Sequence, residues 1–146
     1  MKSILIILLV LLLLVAGGLY YLGKSSGDGA APGLQGGRLA ACPSAPNCVS
    51  SEDGTPEGQR VEPFPAEAWA RIPSIIGELG GRVMREESDY IAAEFTSSLF
   101  RFVDDVEFRR ATDGIHLRSA SRVGYSDLGA NRKRVAALRE QLSAGE

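Results

Sequence analysis

The sequence predicts an α+β domain: a four-stranded antiparallel meander with two helices on one face, preceded by an N-terminal transmembrane helix. Three observations carry this. The chain opens on a long uninterrupted apolar run. Two segments with helical apolar spacing bracket the C-terminal half, and between them lie four short stretches that alternate apolar and polar residues.

Ile4 to Leu22 is apolar throughout, broken only by Gly17 and Gly18. As a helix it spans roughly 28 Å, close to the ~30 Å hydrocarbon core of a bilayer. Lys2 precedes it, and Lys24 and Asp28 follow. The charge bias favours a cytoplasmic N-terminus and a single pass through the cytoplasmic membrane, with the C-terminal domain on the periplasmic side. A cleaved signal peptide is the alternative, with Val15-Ala16-Gly17 as small residues for a peptidase. The run exceeds the usual 7–15 residue signal core, which favours an uncleaved anchor over residues 1–24. Leu39-Ala40-Ala41-Cys42 looks like a lipoprotein cleavage box, but such a box abuts its apolar run and this one does not.

Residues 25–41 contain five glycines and Pro32 and read as a flexible linker with a reach of roughly 20–25 Å. Residues 42–146 hold one domain with a single modest core. Removing Lys2 and Lys24 from sixteen basic residues leaves fourteen against eighteen acidic ones, a net of −4 beyond the anchor. Such a domain is not a general nucleic-acid binder; its positive charge is concentrated from Arg118 to Arg139.

Cys42 and Cys48 are the only cysteines. In a translocated compartment they are expected as a disulfide that fixes a turn at the domain entrance. Ser50 to Glu62 reads as loop. A helix starts near Pro65, with Trp69, Ile72, Ile76 and Leu79 in phase, a kink at Pro73 and an end at Gly80-Gly81. Strands follow at about 82–86, 90–97, 100–109 and 115–123. Asp113-Gly114 is suited to a tight hairpin. The last helix runs from about Asp127 to Leu142, with Ser126 or Asp127 as its cap.

The alternation puts Ile91, Ala93 and Phe95, then Phe100, Phe102, Val106 and Phe108, then Ile115, Leu117 and Val123 on one face. The other face carries Tyr90, Glu94, Asp105, Glu107, Arg109, His116, Arg118 and Arg122, and antiparallel sheets can wet one face in this way. Asp105 and Glu107 are expected across the hairpin from Arg118 and His116. Asp104 falls among apolar neighbours, so it needs a partner; an arginine from the last helix is one, and a functional cleft is another.

The richest polar stretch is Arg118 to Arg134. Arg118, Arg122, Asn131, Arg132 and Arg134 are the candidate anion site, since guanidinium groups suit carboxylates and phosphates and a helix N-terminus adds free amides. Asp104, Asp105 and Asp127 are its supporting carboxylates, or the arginines pair with them inside the fold. No catalytic residue, metal set or cofactor motif is read. A hydrolase using Asp104 or Asp105 with His116 is the enzymatic alternative. A module for a membrane protein partner, engaging Arg132 and Arg134, is a further one. The implied contacts are the membrane, through residues 4–22, and an anionic small molecule or lipid headgroup.

Cys-Pro-x-x-Pro-Asn-Cys-Val-Ser-Ser at 42–51, Phe-Val-Asp-Asp-Val-Glu-Phe at 102–108 and the whole of 118–134 together resemble a bacterial and plastid family, the domain-of-unknown-function family numbered 1499. The resemblance covers 42–142. It implies a secreted, lipid-anchored or membrane-tethered protein and groups Asp104, Asp105, Arg118, Arg122, Asp127, Asn131 and Arg132 into one constellation, without a reaction.

Overall fold

The computed structural model describes residues 1–144; the last two residues of the expected domain lie outside the described residues. The apolar run forms α1, Lys2–Ser26, with residues 4–22 largely free of packing. It is long and apolar enough to cross a bilayer, a length and composition that a signal sequence shares. A small hairpin follows, β1 (Leu34–Gln35) with β2 (Arg38–Leu39). The main sheet is built from β3 (Cys48–Ser50), β4 (Arg82–Glu86), β5 (Tyr90–Thr96), β6 (Val103–Ala111) and β7 (Gly114–Ser121), in the order β3-β7-β6-β5-β4 and wholly antiparallel.

The sheet thus has five strands rather than the expected four. The extra one, β3, pairs Cys48 with Ala120 and Ser50 with Arg118 along β7. Three residues are too few to display an alternation, so β3 read as part of a turn and loop. The expected β6–β7 hairpin is present, but it turns at Thr112-Asp113, one residue before the expected Asp113-Gly114, because Gly114 pairs with Ala111 as the first residue of β7. Gly114 there adopts φ 140°, and a Cβ would press on the Phe64 carbonyl, which accepts a hydrogen bond from the Ile115 amide.

The first domain helix divides into two parts. Ala66–Arg71 is a 3₁₀ turn, and α2 (Ile72–Glu78) is α-helical. Pro73 therefore does not kink a continuous helix; it sits in the first turn of α2, where its missing N–H costs nothing. The last helix, α3, covers Ala130–Ser143 and starts three residues later than expected. Both helices lie on the apolar face. Ile72, Ile76, Val135 and Leu138 meet Ile91, Val106, Phe108 and Leu117 in one core. Phe100 and Phe102, expected on that face, instead lie in the β5–β6 turn, since β6 begins only at Val103.

The opposite face is covered, which corrects both the open sheet and the loose linker. After α1 the chain is laid across it as a strap. The Gly33 amide donates to Glu107 Oε1 at 2.9 Å and the Leu39 amide to Glu52 Oε1 at 3.1 Å. Leu39 packs on Tyr90 and Ala92 with Ala31 and Leu34 beside it. Cys42 and Cys48 form a disulfide that ties the end of the strap to β3.

Candidate functional site: a charged network beneath the strap

β5, β6 and β7 each send alternate side chains to the covered face, as the two-residue period of a strand requires. Glu94, Asp105, Glu107, Arg109, Arg118 and Arg122 therefore meet in one layer, with Asp105, Glu107 and Arg118 buried and the other three partly so. An isolated charge there would be costly, so each has to be matched.

Arg122 is the best-matched group. Its Nε and Nη2 donate to the two oxygens of Asp105 at 2.9 and 2.6 Å, and Nη2 also donates to Glu94 at 2.6 Å. Nη1 donates to the carbonyl of Ser26, the last residue of α1, at 3.1 Å. The hydrogen bonds to Asp105 and then to Glu94 hold its pKa well above the ordinary arginine value, despite burial. Glu107 is fully buried and accepts from Arg118 Nη1, the Tyr90 hydroxyl and the Gly33 amide. Burial nonetheless pushes its pKa up, and burial with the bond to Glu107 pushes Tyr90 up as well.

A second centre forms around Glu52. Arg109 grips it with two bonds, 2.8 and 3.0 Å, while Arg38 and the Leu39 amide approach from the strap. Burial disfavours its charge, but the bonds to Arg109, Leu39 and Arg38 win and bring its pKa down to about 2. Neither Glu52 nor Arg38 was singled out in the sequence. The only signal was an excess of charge of both signs on a face that looked open.

The expected anion site is dispersed among internal partners. The register differs from the expected one: Arg118 lies opposite Glu107, His116 faces Arg109, and Asp105 faces Ala120. Arg134 projects from α3 to Asp104 at 2.7 Å and covers the Phe95 ring, which accounts for the carboxylate on the apolar face. Arg132 donates to the carbonyls of Arg60 and Gly58. Asn131 is fully buried; its Oδ1 accepts from Ser119 and Arg134, and its Nδ2 donates to Asn47 O, Ser121 Oγ and Asp127. Asp127 already holds the amides of Gly129 and Asn131, so the first turn of α3 carries its anion within the chain. Those bonds outweigh its burial and lower its pKa.

His116 and Asp105 are not brought together. Their positions on the sheet differ by four residues of β7, roughly 13 Å. A different contact was missed: Ser51 Oγ lies 3.4 Å from His116 Nδ1, and His116 Nε2 lies 3.3 Å from Asp113. Ser51 is buried and its Oγ accepts from the Leu117 amide, so this trio braces the β3 end of the sheet.

Two buried polar atoms have no partner among the described residues: Asn47 Oδ1 and Arg118 Nε. Arg118 lines a cavity of about 300 Å³ between strap and sheet, together with Gly29, Pro32, Asp105, Ser121 and Arg122.

The family model described as a protein of unknown function, DUF1499, matches residues 38–142. The chain belongs to the DUF1499 family. The match begins inside the strap, at the Arg38 that reaches Glu52, and takes in every strand of the main sheet. No curated protein and no solved structure matches this DUF1499 chain.

Proposed function

We propose that this DUF1499 protein is a single-pass membrane protein whose extracytoplasmic domain works without catalysis, as a structural module of the cell envelope fixed to its own anchor. One observation carries the reading. The strap that issues from α1 is fastened to a buried ion-pair layer of the sheet, through Glu107, Glu52 and Arg122, and Arg118 and Arg122 in that layer are already paired with its carboxylates. Arg132 and Arg134 are bonded elsewhere within the domain. The disulfide supports an oxidising compartment. A C-terminal fusion to a phosphatase that is active only after export tests the orientation. Activity retained in the membrane fraction supports the reading. Activity released as soluble protein, or none, contradicts it.

Capture of an anionic small molecule or headgroup is a second reading, favoured by the unpartnered Arg118 Nε at the cavity. Two guanidiniums there already face three carboxylates, which weighs against a free anion. Titrating the full chain with inorganic phosphate separates the two. A rise in Tm that vanishes in Arg118→Met favours capture, because a ligand stabilises the state that binds it. No rise favours the structural role. A protein-partner role through Arg134 is poorly supported, since that side chain is committed to Asp104 and Asn131.

A further inference from the structure

The β5–β6 turn, Ser97 to Phe102, is unusual for a domain surface. Leu99 is 73% exposed, Phe100 and Phe102 are half-buried with their rings edge to face, and Arg101 is exposed at φ 63°. A non-glycine residue held in the left-handed region is uncommon and marks a turn whose shape is imposed. Nothing in the core needs these side chains.

The position of the turn relative to α1 suggests what they meet. Gly23 is buried against it so closely that a Cβ would collide with the Phe100 carbonyl. Three residues on, Ser26 Oγ accepts from the Val103 amide at 2.9 Å. The apolar run of α1 ends at Leu22, one residue before this contact. If α1 spans the bilayer, the turn sits within about one helical turn, ~5 Å, of the hydrocarbon boundary. Leucine, aromatic rings and a cation at that level are the composition of an interfacial segment. Tyr125 and Leu128, both strongly exposed, lie on the loop that leaves the same end of the sheet, where the Arg122 amide donates to Val103 O.

We infer that residues 97–102 seat in the interfacial zone of the leaflet from which α1 emerges, so that the domain rests on the lipid surface and does not swing above it. The occupant is the bilayer itself, and the inference rests on the reading of α1 as a membrane span.

The test uses the full chain in phosphatidylcholine vesicles brominated either near the headgroup end or near the middle of the acyl chains, with tryptophan emission as the readout. Trp69 is a built-in control. Arg110 lies over its ring at 6.0 Å, seven residues along β6 from Val103, which puts the ring roughly 24 Å from the turn. The wild-type emission should be unaffected by either lipid. Leu99→Trp, at an exposed site, should add a component quenched most by the shallow bromines. Leu12→Trp should add one quenched most by the deep bromines. Quenching at position 12 with none at position 99 overturns the inference and leaves the anchor standing. No quenching at position 12 removes the anchor and the inference together.

Discussion

Arg122 joins the three parts of the account: the end of α1 and two carboxylates of the sheet. Replacing it with methionine keeps the length of the side chain and removes its charge. Asp105 is 4% exposed and Glu94 is largely covered, so the variant leaves two carboxylates facing each other beneath the strap, with the Ser26 carbonyl short of a donor. Removing one partner of a buried ion pair costs about 3–5 kcal/mol. A domain of this size is stable by only about 5–15 kcal/mol. With about 4–8 °C of Tm per kcal/mol, Arg122→Met should melt roughly 15–30 °C below wild type. Thermal unfolding of the full chain in detergent micelles, followed by circular dichroism at neutral pH, measures it. Adding Asp105→Leu and Glu94→Gln should recover most of the loss, because a buried pair replaced as a unit by apolar or neutral groups is often close to neutral. A loss under about 1 kcal/mol, the size of an exposed salt bridge, would mean that the network is solvated and the reasoning wrong.

Two further predictions concern single groups. The folded pKa of Glu52, about 2, lies below its ordinary value of 4.5, so its contribution is complete above about pH 4.5 and is lost as pH falls toward 2. Wild type should lose about 3 kcal/mol more than Glu52→Gln across that window in denaturant titrations, whereas parallel curves would refute the shift. Glu107, raised by burial, works in the opposite sense, and the comparison cancels it because both proteins carry it. Asn131→Ala strips partners from the Asn47 carbonyl, Ser119 and Asp127 in a fully buried site. It should cost about 2–4 kcal/mol in the same titration; a neutral outcome would show that water replaces the amide.

The apolar half of the fold was legible because it is written in side-chain periodicity. Ile91, Ala93 and Phe95 keep step along β5, and Asp104 stood out as a misfit whose partner on α3, Arg134, could be anticipated. The polar half was not. Residues 25–41 carry few side chains that bury area, and what fastens them is the backbone: the amides of Gly33 and Leu39 find carboxylates on a distant face. No residue pattern announces a bond made by a main-chain N–H. Leu34 and Leu39 were the only large apolar residues in the supposed tether, a weak sign that it had something to cover. The arginines looked available because the carboxylates that meet them come from other strands, with Glu52 supplied by an apparent loop.

Amide hydrogen exchange at Gly33 and Leu39, in the full chain held in micelles or vesicles, tests the fastened strap most directly. Both amides should exchange as slowly as those of β6, through unfolding of the whole domain, because each is bonded to a buried carboxylate. Exchange at the rate of an open chain, with β6 still protected, would mean that residues 27–41 are a free tether and that the charged face lies open to water.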